Sequence, residues 1–503
     1  MSTTTPSEQT LAKLACVSCH AQKRKCSRQL PQCDLCLKKR KRCEYPLEAF
    51  DDSTPGSADA PLDNRFPALF FLDTWLFRNR RLSVGAMQAR LPGGALVTAV
   101  GSPENLRAVW DHYFSIVHPS FPVLSKIKAY GQLLTRPLGR SDEGPDIVFL
   151  LLAVRLVCAT DQAEVLYRLA KQCYAALETQ GVVTSTVLQG VLLLTYWEVG
   201  QGVYPAAFLS VGLCARIGQA LGLHQQRGAA PMYPTASAVG AEEYRRMWWG
   251  ILILDRYVTA GLVGRPFACE DAQPQDLLPM LETSWDLGEP CVTPSLAACA
   301  DVSRPVSAFA RLCQASHLLS RVLRHTNEKP TDWQLWYQDG IRLHHVLEAL
   351  VSGLGAAPTG ASPAYPAMGL LYSSQVLLYD SHTCADFDDA GGVGSQDQLE
   401  MQSIAMAGIK TVCRVVSRFA VEVRLALSAD EAMASSPLVM NCMYEAAKYY
   451  FWYYREAGRP ELLSEVNEIM LTLQGLRPTW ALAAEYLSIL GGDEFRPGQD
   501  LGD

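Results

Sequence analysis

Residues 16–43 read CVSCHAQKRKCSRQLPQCDLCLKKRKRC, and the placing of their six cysteines decides what this end of the chain can be. The spacing is Cys16-x2-Cys19-x6-Cys26, then six residues, then Cys33-x2-Cys36-x6-Cys43, one phrase written twice. A C-x2-C pair lets a single turn present two thiolates to one ion. Four-coordinate zinc needs four ligands, so two separate ions would call for eight sulfurs, and one ion would leave two of the six idle. Six thiolates serve two ions completely if two sulfurs bridge, and the repeat nominates the leading cysteine of each half, Cys16 and Cys33. The expected cofactor is two zinc ions on Cys16, Cys19, Cys26, Cys33, Cys36 and Cys43. A disulfide knot is the first alternative, disfavoured in a reducing compartment. A redox or metal-storage site is the second, and it explains neither the symmetry nor the basic residues between the ligands.

Charge divides as sharply as cysteine does. Residues 1–43 carry ten Lys and Arg against Glu8 and Asp34, a net of +8, while the remainder carries 34 basic and 49 acidic residues, a net of −15. The overall −7 therefore hides a basic head on an acidic body, and a polyanion is the expected partner of the head alone. Lys38, Lys39, Arg40, Lys41 and Arg42 run consecutively. They read as a nuclear import signal and phosphate contact, with a solvated charge run as the plain alternative. The other ten cysteines stand singly among apolar residues and are expected to be small buried hydrophobes.

Through every spacing, the motif resembles the fungal binuclear zinc-cluster (Zn(2)-C6 fungal-type) family of transcription factors. The resemblance implies two short helices, each followed by an extended strand, with Pro31 in the joining loop. It implies that the first helix enters the major groove of double-stranded DNA and reads a CGG-type triplet. Lys23 stands at the family's base-reading position, Lys25 at its second usual lysine, and Arg28 where a basic residue meets phosphate. His20 and Gln22 replace residues that are basic in many members, although Gln22 can still hydrogen-bond a base edge or phosphate. The residues themselves agree. Lys23, Arg24 and Lys25 share a segment whose ends metal would fix, and a lysine donor suits guanine O6 and N7.

Residues 1–15 read as a disordered tail, and 44–65 as an acidic flexible linker with three prolines and no heptad. A homodimer is therefore not expected through a linker coiled coil, and binding as a monomer stays open. From about residue 66 the chain turns apolar. Phe208, Val211, Ala215 and Leu221 recur at helical spacing, as do Trp248, Ile251, Leu252 and Tyr257. The fold class expected is mostly α, a small zinc-cluster DNA-binding domain joined by the linker to a large all-α regulatory domain over 66–390. A helical region with an activation segment follows over 391–503. Tyr113–Leu124 (YFSIVHPSFPVL), Ala215–His224 (ARIGQALGLH) and Glu242–Pro266, with RRMWWGILILDRY and GRP, resemble the same family's helical regulatory region. Within the body His118 is read as structural and Trp248 and Trp249 as core. The run Tyr449–Tyr454 is read as mainly core, with a pocket or partner groove as the alternative. Residues 485–503 mix acidic and apolar side chains, as an activation segment or an ordinary chain end would.

Asp73 and Arg155 interrupt the most apolar runs, and no basic-then-apolar leader opens the chain, so a soluble intracellular protein is expected. The chain shows no Gly-rich phosphate loop, H-E-x-x-H or G-x-S-x-G, and all six head cysteines are consumed structurally, so an enzyme is not expected. The reading that uses every feature is a nuclear, sequence-specific regulator working with DNA and the transcription machinery, most simply an activator of a pathway or biosynthetic gene cluster. A protein-interaction scaffold or co-regulator that no longer binds DNA is the alternative, and retention of Lys23 and Lys25 weighs against it.

Overall fold

A computed structural model describes residues 15–29, 32–39, 41, 43, 69–72, 103–133, 144–159, 161–224, 237–261, 264–289, 295–297, 306–328, 331–355, 364–383 and 395–492. The tail, the linker, Pro31, Arg40, Arg42 and residues 493–503 lie outside them. The chain divides into two units, Met1–Asp63 and Asn64–Asp503.

In the first unit two five-residue helices, α1 (Val17–Ala21) and α2 (Asp34–Lys38), are each opened by a cysteine. A helix this short cannot stand on propensity. It is held by its ends. Cys16 and Cys33 occupy the N-cap positions, and their sulfurs accept from the amides of Cys19 and Cys36 at 3.4 Å each, filling the role usually given to Ser or Asp.

Regular structure among the described residues of the second unit is helical, apart from an isolated bridge between Leu277 and Ser295. It comprises α3 (Leu69–Leu72), α4 (Pro103–Ile116), α5 (Lys126–Lys128), α6 (Pro145–Val157), α7 (Ala163–Thr179), α8 (Ser185–Gly200), α9 (Ala206–Leu221) and α10 (Ala238–Thr259). After these come α11 (Glu282–Leu287), α12 (Ala308–Asn327), α13 (Trp333–Gly355), α14 (Tyr365–Thr383), α15 (Gln396–Ser428), α16 (Met440–Ala457), α17 (Glu461–Leu476) and α18 (Ala481–Leu490). One continuous core runs from Leu106 to Leu490, so residues on either side of position 390 share it, α14 packing on α15. Helices α6 and α8 are buried around almost their whole circumference and pair at the centre. No described helix is long and apolar enough to cross a membrane.

The three stretches singled out in the sequence meet one another. Gly250 of α10 lies against Phe121 and Val123, whose nearest atoms stand 3.1 Å from where a Cβ would project. Gly218 of α9 lies against Ile251 and Trp248 in the same way. Alternating glycine and large side chains lets the helices approach closely without voids. Polar residues inside α10 also hold the neighbouring loop in place. Arg246, 0% exposed, donates to Glu242 Oε1 at 2.8 Å and to the Met280 carbonyl at 2.7 Å, with its guanidinium 4.2 Å from the Trp285 ring centroid. Asp255 accepts from the amides of Ala268 and Cys269 at 3.1 and 3.0 Å. Arg256 reaches the carbonyls of Cys269 and Glu270 and the Asp271 carboxylate. Glu242, Arg246, Asp255 and Arg256 thus tie the loop after α10 to the helix through its backbone, which is why charges lie on a buried face.

Asp271 gives a pH prediction. Burial raises its pKa, but Ser320, Arg324 and Arg256 together outweigh burial and hold it below the usual carboxylate range. Its contribution to stability is present above the unfolded-state value of about 3.9 and is lost as pH falls through the lower folded value. Asp271→Asn is expected to be less stable than wild type at neutral pH, the gap closing as pH drops below about 4. Thermal melts from pH 7 to pH 3 check this, and a gap that widens on acidification contradicts it.

Of the ten scattered cysteines, Cys173, Cys214, Cys269, Cys313, Cys413 and Cys442 are buried and Cys158 is half-buried, all as free thiols, while Cys291, Cys299 and Cys384 lie outside the described residues. Burial pushes Cys158, Cys173, Cys214, Cys269 and Cys413 up to about 12, which leaves them unreactive. His118 is buried beside Asp286 at 3.3 Å and stacks on Trp285, burial lowering its pKa. Trp249 is core and donates to the Leu277 carbonyl at 2.9 Å. In α16, Tyr450 and Phe451 are buried whereas Trp452 is 53% exposed.

Candidate metal centre and nucleic-acid interface

The cysteines form two overlapping groups, Cys16, Cys19, Cys26 and Cys33 in one, and Cys16, Cys33, Cys36 and Cys43 in the other. Within each group every sulfur lies within 4.8 Å of the rest, and the shared pair is Cys16 and Cys33. A tetrahedron with metal–sulfur bonds of about 2.3 Å has edges of about 3.8 Å. The sulfurs of Cys16 and Cys33, the pair common to both groups, are 3.7 Å apart, as are those of Cys16 and Cys36 in one group and of Cys19 and Cys33 in the other. Cys19 and Cys36, which share no group, are 4.0 Å apart. The residues fit two tetrahedral ions with a common edge.

Pseudo-twofold symmetry extends to the backbone. The amide of Cys16 donates to Cys26 Sγ at 3.5 Å and that of Cys33 to Cys43 Sγ at 3.3 Å. These donors favour thiolate. Burial raises Cys33, yet the amide of Cys36 and the neighbouring thiols outweigh it and bring Cys33 to about 6. Burial pushes Cys19, Cys36 and Cys43 upward, Cys43 to about 12. Sulfurs this close cannot all ionise without cations among them, and zinc replaces the protons that they would otherwise keep. When bound, zinc supplies a cross-link in place of a hydrophobic core.

Helix α1 ends in a Schellman turn. The amide of Lys23 donates to the His20 carbonyl at 3.0 Å and that of Arg24 to the Cys19 carbonyl at 2.9 Å, with Lys23 at φ +49°. The amide of Lys41 donates to the Cys36 carbonyl at 3.0 Å, repeating the Arg24–Cys19 bond in the second half. Lys23 is therefore in the turn after α1 rather than on the helix, a placement that the spacing alone did not give. Among the described residues of the head no strand is present, and Gln29, in the stretch after α1, sits in a β-bridge. His20, Gln22, Lys23, Arg24, Lys25 and Arg28 are all exposed. So are Lys38, Lys39 and Lys41 of the basic run, whose Arg40 and Arg42 lie outside the described residues.

The architecture defines a class, a binuclear zinc–thiolate head on a large helical body. Comparison with known proteins gives the same division. The fungal Zn(2)-Cys(6) binuclear cluster domain matches residues 14–49, and the fungal specific transcription factor domain matches residues 110–335. Over 119 residues, 23% of this chain and 65% of the relative, the sequence is 42% identical to the transcription factor BOA15 of Botryotinia fuckeliana (strain B05.10). Over 172 residues it is 27% identical to the cutinase transcription factor 1 alpha of Fusarium vanettenii, covering 31% of this chain and 18% of that protein. Over 175 residues it is 25% identical to the depudecin biosynthesis cluster-specific transcription activator DEP6 of Fusarium langsethiae, covering 31% and 28%. The chain thus spans less than two thirds of the length of each. It belongs to the fungal Zn(2)-C6 transcription factor family, and its cofactor is two zinc ions.

Proposed function

We propose that this chain is a nuclear, sequence-specific DNA-binding transcription regulator that recognises CGG-type triplets and activates a pathway or biosynthetic gene cluster. In this reading Cys16 and Cys33 bridge the ions, and Cys19, Cys26, Cys36 and Cys43 complete them. Lys23 reads guanine edges with Gln22, Arg24 and Lys25 beside it. His20 and Arg28 approach the backbone, and Lys38–Arg42 serves phosphate contact and nuclear import. The names of the relatives support the regulatory role.

The observation that carries the reading is Lys23 itself. A non-glycine residue in the left-handed region costs about 1–2 kcal/mol, and the same turn is ordinarily closed by glycine. The turn imposes that backbone, so lysine in place of glycine favours a role for the exposed side chain, and Arg28, also exposed, stands likewise at φ +59°. The metal-fixed ends pre-set its direction.

Lys23→Ala is expected to relax preference for the guanine positions by about 1–3 kcal/mol. Lys23→Gly should do the same while relieving the turn. Lys39→Ala should instead weaken all sequences alike and reduce the salt slope by about one phosphate, roughly 0.9 in log affinity per log salt. Mobility-shift titrations on CGG-containing and scrambled duplexes at several salt concentrations separate these outcomes. Identical behaviour of the two lysine variants contradicts the assignment.

A further inference from the structure

Far from the zinc head in sequence, three donor atoms converge on the space in front of Gly340. A Cβ at that glycine would lie 3.0 Å from His382 Nε2, 3.2 Å from Met401 Sδ and 3.3 Å from His325 Nε2. The donors come from three different helices, α12, α14 and α15, and Gly340 belongs to a fourth, α13. All three side chains are buried, Met401 at 0%, His382 at 4% and His325 at 7% exposure. The two Nε2 atoms are 2.9 Å apart, sharing one proton. His325 Nδ1 faces Asp339 Oδ2 at 3.3 Å, and Trp336 stacks flat on the His325 ring with centroids 4.8 Å apart. An open pocket of about 510 Å³, lined among others by Arg321, Arg324, Trp336 and Asp339, reaches His325 from solvent.

We propose that His325 Nε2, His382 Nε2 and Met401 Sδ form a binding site for a single copper(I) ion. Two imidazole nitrogens and a thioether sulfur offer donors without negative charge. Magnesium and calcium require oxygen ligands, and structural zinc requires four ligands and finds thiolates at the head. Thioether and imidazole together select copper(I). Asp339 orients His325 through the far ring nitrogen, the usual outer partner of a metal-ligating histidine, and its charge balances the monovalent ion. Copper takes the place of the proton between the imidazoles. His382 then carries that proton on Nδ1, so none is released and no electron moves. Ligand identity, outer-shell support and an access route are all present.

The test uses the full-length zinc-loaded chain under anaerobic conditions, titrated with copper(I) buffered by bicinchoninate and then desalted for metal analysis. Wild type is expected to retain one copper more than the His325→Gln/His382→Gln double variant, with zinc unchanged at two per chain. Met401→Leu, which keeps the volume, is expected to weaken binding at least tenfold, and Asp339→Asn by about 10–100-fold. Copper absorption spectra should show nitrogen and sulfur scatterers. Equal copper in wild type and Met401→Leu overturns the proposal, as does copper gained only while zinc is lost. Met401→Leu decides the matter if the double variant does not fold.

Discussion

Replacing either Cys16 or Cys33 with alanine is expected to release both zinc ions and abolish DNA binding, whereas replacing Cys26 is expected to compromise one ion. The difference follows from ligand sharing. Cys16 and Cys33 belong to both four-sulfur groups, and Cys26 belongs to one. Each also caps its helix through the amide three residues on, so its loss removes a metal ligand and a helix start together. Structural zinc contributes apparent free energies of about 10–16 kcal/mol in small zinc-dependent domains, and among the described residues of the head the buried side chains are those of Cys16, Cys19, Cys33 and Cys36, so no apolar core is there to replace them. Native mass spectrometry of the variants counts the ions, and the same duplexes report binding. Equal zinc loss from Cys16→Ala and Cys26→Ala would argue for two independent sites.

The second large effect lies in the body. Arg246→Ala is expected to destabilise the second unit by about 3–5 kcal/mol, because removing one member of a buried pair strands the other. Glu242 is fully buried, and besides Arg246 it accepts from the amide of Met280 at 2.9 Å. Arg245 also reaches Glu242, which places the effect toward the lower end of that range. The pair itself need not be stabilising. Arg246→Met combined with Glu242→Gln, which removes both charges, is expected to recover most of the loss. Urea unfolding of the two variants against wild type measures this. A single Arg246→Ala change within about 0.5 kcal/mol of wild type would mean that solvent reaches the pair.

Much of the metal site was legible in the sequence because thiolate chemistry leaves few arrangements of six cysteines in two equal phrases. The nomination of Cys16 and Cys33 required only ligand counting, and the two overlapping groups share that pair. The helical body was legible from apolar periodicity, and Val211, Ala215, Leu221, Ile251 and Leu252 are indeed buried. Other features were not. Lys23 lies beyond the end of α1 because a turn can impose left-handed backbone on a residue with no preference for it. The spacing of Glu242 and Arg246, four residues apart, signals an ion pair, but not that the loop after α10 would close over it. His325, His382 and Met401 carry no mutual signal, since their meeting depends on how four helices pack. Of residues 485–503, whose mixed acidic and apolar side chains suit an activation segment or an ordinary chain end, the first six close α18 with Leu490 buried, and 493–503, like the linker, lie outside the described residues.

X-ray absorption at the zinc edge on the purified chain, with metal counted in the same sample, tests the central claim most directly. Two zinc ions per chain are expected, each in a shell of sulfur alone at about 2.3 Å, with a zinc–zinc vector of about 3 Å set by the shared edge. A single ion per chain, or a shell containing nitrogen or oxygen with no metal–metal vector, would contradict a doubly bridged cluster.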